Sequence, residues 1–229
     1  MEQTSPSEAD WLALLGDLPE WVPPRASTLV IAPHPDDETL GAGGLIAWQR
    51  SQGVDVHVAA VTDGEKAYGD TPGLAAQREE EQAKAVERLS VAREQITRFR
   101  LPDGNVASFE AELEGRLSPM ITRETLVATP WRGDHHPDHE ACGRVAERLA
   151  KRAGATLCSY FFWIWHWGTT DEFRRLAARR FVLDGALLRT KTEALSCHRT
   201  QLQHAGGEPV LPELLLGPAR RSFEIFVVE

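Results

Sequence analysis

Two short segments of this 229-residue chain carry residue types that could perform chemistry together. The first reads A-P-H-P-D-D-E-T over residues 32–39, and the second reads G-D-H-H-P-D-H-E over residues 133–140. Both combine imidazoles and carboxylates, which are good ligands for a borderline divalent metal such as zinc. Because catalytic zinc usually keeps three protein ligands and one open position for water, the pair of segments indicates a hydrolytic metal site.

The residue types also suggest how the work would be divided. His34, Asp37 and one histidine of the second segment would complete a three-ligand set, which leaves Asp36 free. A free carboxylate can take a proton from the attacking water, whose pKa a bound metal lowers toward ~7. Another histidine could donate a hydrogen bond to the oxyanion of a tetrahedral intermediate. These parts suit hydrolysis of an amide or ester, although spacing alone does not decide which Asp is ligand and which is base.

Helix capping is the simpler alternative for the acidic residues. A carboxylate at the start of a helix accepts hydrogen bonds from free N–H groups and interacts favourably with the helix dipole. Four residues could serve only this purpose: Asp36, Asp37, Asp138 and Glu140. Capping does not readily explain two separate H-P-D segments, each between a strand and a helix, and we therefore favour the metal interpretation.

The elements that must position these segments alternate between strands and helices. The pattern predicts strands at 28–32, 54–61, 96–101, 125–129 and 156–162 and helices at 38–52, 74–89, 109–121 and 137–153. The tail adds predicted helices at 171–178 and 185–199 and strands at 180–183 and 223–228. This alternation indicates a single-domain, Rossmann-like α/β fold, with a mostly parallel sheet and helices on both faces. Both motif segments would then meet at the carboxyl ends of the strands.

The two ends of the chain lie outside this regular pattern. Residues 1–27 read as a leader that contains a short amphipathic helix around Trp11, and we expect it to pack on a domain spanning residues 28–229. The acidic N-terminal stretch lacks the apolar core of a signal peptide. Residues 203–221, rich in glycine and proline, are expected to form a lid or rim loop.

Charge and composition exclude some partners. The chain has 25 Lys and Arg against 34 Asp and Glu, a formal net charge of −9, which argues against nucleic acid and anionic membrane surfaces. We find no apolar run near the ~18–20 residues of a membrane span. The three cysteines, Cys142, Cys158 and Cys197, form no C-x-x-C pair, so we expect a reducing, cytoplasmic location.

The motifs resemble those of the LmbE-like, or PIG-L, family of zinc-dependent N-acetylglucosamine deacetylases. P-H-P-D-D-E and H-P-D-H carry most of the resemblance. Four further segments are similar to family motifs: V-T-D-G-E at 61–65, R-E-E-E at 78–81, L-P-D-G at 101–104 and K-T-E-A-L-S-C-H-R-T-Q-L at 191–202. The resemblance spans residues 28 to about 203, which is most of the chain.

The resemblance implies a role for each motif residue. The metal, zinc or another divalent ion, would have three ligands: His34, Asp37 and His139. Asp36 would be the general base, and His136 would stabilise the oxyanion as an imidazolium held in place by Asp138. Arg78 would contact the substrate, a small N-acetylated amino sugar or glycoconjugate that is converted to acetate and a free amine.

An aromatic segment, F-F-W-I-W-H-W-G, follows the fifth predicted strand at residues 161–168. If it is extended, Trp163, Trp165 and Trp167 share one face. Aromatic faces suit the apolar side of a sugar ring, so we expect Trp163, Trp165 and His166 to line the substrate pocket. Packing in the core or at an interface is the alternative.

Other functions remain open from the sequence. The same site could hydrolyse another small-molecule amide, because a fold does not fix its substrate. A non-catalytic metal-binding module is a second alternative, which the presence of both Asp36 and His136 weakens. Magnesium-dependent phosphoryl transfer is disfavoured, because magnesium prefers oxygen ligands and the chain lacks a G-x-x-x-x-G-K-[ST] loop. The sequence does not indicate the oligomeric state.

Overall fold

The computed structural model describes residues 6–204 and 206–229. Residues 1–5 of the predicted leader and residue 205 of the predicted rim loop lie outside the described residues. One sheet contains seven strands: β1 (Thr28–Ala32), β2 (Val56–Ala60), β3 (Ile96–Arg98), β4 (Leu126–Pro130), β5 (Thr156–Tyr160), β6 (Ala178–Val182) and β7 (Phe223–Val228).

The helices of the described chain vary widely in length. They are α1 (Glu8–Leu15), α2 (Asp37–Ser51), α3 (Leu74–Arg88), α4 (Glu110–Leu117), α5 (Pro137–Ala153), α6 (Ile164–Trp167), α7 (Thr170–Phe173), α8 (Gly185–Leu195) and α9 (Arg199–Leu202). None of these helices is long and apolar enough to cross a membrane, within the ranges just given.

The strand order is β3-β2-β1-β4-β5-β7-β6. Strands β1 to β5 run parallel to their neighbours in this group, whereas β7 runs antiparallel to both β5 and β6. The predicted Rossmann-like, mostly parallel sheet is therefore confirmed, and the tail of the chain supplies its antiparallel edge.

Element boundaries differ from the predictions mainly in the tail. Helix α7 ends at Phe173, although the pattern predicted a helix over 171–178, because β6 begins at Ala178 and pairs there with Val227. The helix predicted over 185–199 ends at Leu195 and is followed by the separate turn of α9. Three elements match their predicted bounds residue for residue: β1, α5 and β7.

Alternating residues of the central strand face two cores. Val30 of β1 packs in a cluster with α2, α3 and α8, whereas Leu29 and Ile31 pack in a second cluster with α4 and α5. This alternation follows from the two-residue period of a strand, and it places helices on both faces of the sheet. The leader helix α1 packs on the domain through Trp11 and Leu15, both buried.

A crevice forms where the strand order reverses. Strands β1 and β4 are neighbours, but α2 leaves β1 toward one face and α5 leaves β4 toward the other. Ligands in open α/β sheets bind at such switch points, outside the carboxyl ends of the strands. Gly41 lets α2 lie close to the sheet, since a Cβ there would be 2.1 Å from the Tyr160 ring.

Candidate metal centre and its cleft

The two motif segments lie side by side at this switch point. The turn after β1 carries His34 and Asp36, and Asp37 is the first residue of α2. After β4, His136 caps α5, whose first turn contains Asp138 and His139. The sheet therefore brings residues into contact that are 104 positions apart, as in the pair His34 and Asp138.

Three donor atoms from these turns converge. Asp37 Oδ2 lies 3.0 Å from His34 Nδ1 and 3.2 Å from His139 Nε2. His139 is fully buried, and its Nε2 has no hydrogen-bond partner among the described residues. An unsatisfied buried nitrogen is unfavourable unless another group engages it. A ring nitrogen of His136 also lies within 4.8 Å of those of His34 and His139, so the cluster can hold a metal ion.

The other nitrogen of each histidine faces a carboxylate. His139 Nδ1 is 2.9 Å from Asp134 Oδ2, whereas His34 Nε2 is 3.2 Å from Asp138 and 3.3 Å from Asp103. Metal-binding histidines typically have such a partner, because a carboxylate on one nitrogen fixes the ring and leaves the other nitrogen free to ligate. His34, Asp103 and Asp138 form a second possible donor group, which shares His34 with the first.

The surrounding carboxylates make this centre favour a positive charge. Burial opposes protonation of His139, yet the carboxylates of Asp37 and Asp134 raise its pKa to about 9. Burial also opposes protonation of His34, but three nearby carboxylates raise its pKa well above the usual value. The same negative charges would stabilise a bound divalent cation. A ligand set of two imidazoles and one carboxylate fits zinc.

Asp36 lies beside the three donors at the N-cap position of α2, but its side chain does not cap the helix. Its carboxylate makes no hydrogen bond to the first turn of α2, and its backbone has φ 144°, a strained value for a residue with a side chain. Burial and the charge of Asp37 raise its pKa well above the usual range, while Arg78 opposes this shift from 3.6 Å. A free carboxylate with a raised pKa meets the requirements of a general base.

His136 and Asp138 interact differently from the expectation. The Asp138 backbone N–H donates to His136 Nδ1 at 3.3 Å, so the neutral ring carries its proton on Nε2. The Asp138 carboxylate contacts His34 instead, and it accepts backbone hydrogen bonds from Gly104 and Val106 at 2.7 and 2.9 Å. In this structure Asp138 therefore contacts His136 through its backbone N–H, and the expected role of its carboxylate in holding His136 stays a prediction.

The charge of His136 also differs from the expectation. Burial, followed by the charges of His34 and His139, lowers the pKa of His136 to about 4. The uncharged form of this ring is therefore favoured in the structure, while the imidazolium role that the resemblance implied stays a prediction. A neutral imidazole can still donate one hydrogen bond through Nε2.

An open cleft of about 110 Å³ lies over these groups. The predicted residues that line it are His34, Asp36, Asp37, Arg78, His136 and Trp163. The other lining residues are Leu40, Ala67, Asp103, Phe162, Val210 and Leu211. Since Val210 and Leu211 belong to the segment 203–221, that segment supplies part of the cleft wall.

Arg78 lines the cleft but has little free surface. Its side chain donates to the Gly64 carbonyl at 2.7 Å and lies 3.6 Å from Asp36 Oδ2, and the residue is only 3% exposed. In this structure the guanidinium forms an ion pair with the Asp36 carboxylate. Its expected contact with the substrate stays a prediction.

The aromatic segment forms a helical turn over Ile164–Trp167, so the extended conformation that would place three tryptophans on one face does not occur. Trp163 and Trp167, four residues apart around α6, stack with ring centroids 4.2 Å apart. Trp165 points the opposite way, into the core, where its ring meets Trp11 at 5.1 Å. The structure thus brings Trp163 to the cleft, while Trp165 and His166 are not among the lining residues described above.

Asp134 is the main residue that the sequence reasoning missed. It is fully buried, accepts hydrogen bonds from the backbone N–H groups of residues 162–164, and contacts His139. Asp134 therefore satisfies the first backbone N–H groups at the start of α6 and orients His139, a predicted metal ligand. Its place just before H-H-P-D-H was the only signal in the sequence. Asp103, in the L-P-D-G turn, was missed in the same way.

Comparisons with known proteins point to one family. The family described as GlcNAc-PI de-N-acetylase (PIG-L) matches residues 29–150. The probable N-acetyl-alpha-D-glucosaminyl L-malate deacetylase 2 of Bacillus subtilis is 29% identical over 200 residues, covering 78% of this chain and 85% of that protein. The diacetylchitobiose deacetylase of Thermococcus kodakarensis is 31% identical over 137 residues, covering 55% of this chain and 49% of that protein.

A solved structure shares the fold. The N,N'-diacetylchitobiose deacetylase of Pyrococcus horikoshii aligns with a TM-score of 0.67 and 21% identity, covering 100% of this chain and 95% of that chain. The family match spans more than half of the chain and contains both motif segments. The chain therefore belongs to the PIG-L, or GlcNAc-PI de-N-acetylase, family.

Proposed function

We propose that this protein is a metal-dependent hydrolase that removes the N-acetyl group from an N-acetylglucosamine-type sugar or glycoconjugate. The products are acetate and a free amine. The observation that carries the proposal is the convergence of Asp37 Oδ2 with ring nitrogens of His34 and His139, beside the free carboxylate of Asp36. Relatives named as deacetylases of N-acetylated sugars support the substrate class.

Zinc is the proposed metal, with other divalent ions as alternatives, and His34, Asp37 and His139 would hold it. His34 would ligate through Nδ1, because its Nε2 already faces the carboxylates of Asp103 and Asp138. When bound, such an ion polarises the amide carbonyl and lowers the pKa of water toward ~7.

Asp36 is proposed to accept the proton of the attacking water and then deliver it to the leaving amine. Both steps favour a carboxylate whose pKa is closer to neutrality than usual, because one group must first accept and then donate a proton. Burial and the adjacent Asp37 provide that raised pKa. Arg78, at 3.6 Å, holds Asp36 in place.

His136 is proposed to donate its Nε2–H to the oxyanion of the tetrahedral intermediate. The Asp138 backbone N–H occupies Nδ1 and so fixes this tautomer. Trp163 lies nearly parallel to the imidazole, at 19° and 5.9 Å between ring centroids, and limits its rotation. A single donor of this kind is worth roughly 2.7–4 kcal/mol in the barrier.

Hydrolysis of a different small amide is the second candidate, because it would use the same groups. A non-catalytic metal-binding module is less well supported, since it gives no reason for a strained, free Asp36. We also propose a cytoplasmic location, supported by the free thiols of Cys142, Cys158 and Cys197.

The test is acetate release from N-acetylglucosaminides by purified protein of measured zinc content. We expect chelation to abolish release and added zinc to restore it, and we expect acetate and free amine in equal amounts. Release that survives both chelation and Asp36→Ala would refute the mechanism. Non-sugar acetamides in the same panel separate the second candidate from the first.

A further inference from the structure

Three stacked rings lead from the cleft to the surface. His136, at the metal centre, lies 5.9 Å from Trp163, and Trp163 lies 4.2 Å from Trp167 at an interplanar angle of 9°. Trp163 lines the cleft, whereas Trp167 is 53% exposed. An indole therefore stands in solvent beside the cleft, on the same side as the proposed oxyanion donor.

Contacts from distant parts of the chain hold the backbone at the start of α6, and Trp163 there stacks on the exposed ring. Asp134 accepts the backbone N–H groups at residues 162–164, where the helix begins. Trp11 Nε1 donates to the Trp165 carbonyl at 3.0 Å, and the Arg221 guanidinium lies 4.7 Å from the centre of the Trp165 ring. A pre-positioned aromatic face binds with little loss of side-chain entropy.

The cleft lacks a free cation for an anionic substrate group. Among the described residues that line it, Arg78 is the one lysine or arginine, and that side chain is buried against Asp36 and the Gly64 carbonyl. Five carboxylates stand at or next to the metal centre: Asp36, Asp37, Asp103, Asp134 and Asp138. Away from the metal position, a phosphate or carboxylate on the substrate would find no free lysine or arginine in the described lining, whereas a neutral ring would meet apolar side chains and indole.

We propose that Trp167, supported by Trp163, is a second subsite that binds a neutral sugar ring attached to the N-acetylated sugar. This inference rests on the proposed function, because it assigns the substrate class of the same site. One face of a pyranose carries C–H groups that pack on an indole, and an exposed parallel stack suits that contact. The preferred substrate is then a neutral glycoside with at least two rings.

The test compares three substrates: N-acetylglucosamine, its neutral β-linked disaccharide, and its glycoside with a hydroxy dicarboxylic acid. In Trp167→Ala, kcat/KM for the disaccharide relative to the monosaccharide falls roughly five- to tenfold, mainly through KM. Trp167→Phe keeps most of the preference, whereas Trp167→Leu, which is apolar but not flat, does not. The matched control is Val182→Ala on β6, 48% exposed, which leaves the preference unchanged.

Two results would overturn the subsite. One is an unchanged preference in Trp167→Ala. The other is a better rate with the dicarboxylic glycoside that depends on Lys66, the exposed residue next to Ala67 of the cleft wall. If no substrate is turned over, the proposed function fails, and calorimetric titration with the disaccharide then decides the subsite. Binding that is weakened by Trp167→Ala supports it, and binding that is unaffected or undetectable contradicts it.

Discussion

The metal centre and the aromatic wall, which we define as residues 161–167, face the same cleft but owe their conformations to different parts of the chain. The donors of the metal centre lie in two turns that are set by adjacent strands and helices, at the switch point of the sheet. The aromatic wall depends on distant residues, chiefly Asp134 and Trp11. A site built from local turns can be anticipated from sequence, whereas one built from long-range contacts cannot.

Asp134 connects these two regions. One carboxylate oxygen lies 2.9 Å from His139 Nδ1, and both oxygens accept hydrogen bonds at the start of α6. A single buried residue therefore sets a ligand on one side and the substrate-facing wall on the other. Single substitutions can show whether the metal centre and the aromatic wall are affected independently.

The largest effect is expected from Asp36→Asn, which removes the proposed base and nothing from the wall. We expect kcat to fall roughly 10²–10⁴-fold, because general-base catalysis contributes about that much. Zinc content and tryptophan fluorescence should stay as in the wild type, as measured by elemental analysis and emission spectra. Loss of zinc together with activity would instead make Asp36 a ligand.

Trp11→Ala should disturb the aromatic wall and leave the metal centre intact. Removing a buried Trp from a packed cluster should lower the free energy of unfolding by about 3–5 kcal/mol, measured by denaturant unfolding. KM should rise while zinc affinity is unchanged, because α6 loses the hydrogen bond from the indole to the Trp165 carbonyl. The control is Leu12→Ala in the same helix, 44% exposed, with an expected change within about 0.5 kcal/mol.

Asp134→Asn should disturb both regions at once. Loss of a carboxylate partner of a ligating histidine typically costs 10–100-fold in metal affinity, which competition with a chelating dye can measure. Wall fluorescence should change in the same variant. Glu140→Gln, an acidic neighbour whose carboxylate lies 3.8 Å from Arg144, is the matched control and should leave both unchanged. A change confined to one region would show that the two are independent.

The smallest expected effect is the loss of folding stability at acidic pH that comes from His166 in the aromatic wall. Burial lowers the pKa of His166 to about 4, so between pH 6.5 and 4 the unfolded chain binds a proton that the folded chain does not. Stability should therefore fall as the pH falls through this range, by up to about 1.4 kcal/mol per pH unit from this residue. His166→Gln should make the slope shallower by that amount, measured by unfolding at pH 7 and pH 5. An identical slope would contradict the burial of this ring.

The metal centre was easier to predict from the sequence than the aromatic wall. The strand-to-helix turns gave the positions of His34, Asp37 and His139, because β1, α2 and α5 are set by strong local patterns. The helical turn at 164–167 could not be read from alternating tryptophans, since a side chain 28 positions away supplies its first hydrogen bonds. Asp103, which reaches His34 from a distant turn, was missed for the same physical reason, whereas Asp134 lies only five residues from His139.

The most direct test of the account is the position of the metal, located by anomalous X-ray diffraction at the zinc edge on zinc-loaded crystals. We expect one peak per chain, within bonding distance of His34 Nδ1, the Asp37 carboxylate and His139 Nε2. A peak on the opposite side of the His34 ring, between Nε2 and the carboxylates of Asp103 and Asp138, or no peak in a protein that still releases acetate, would contradict it.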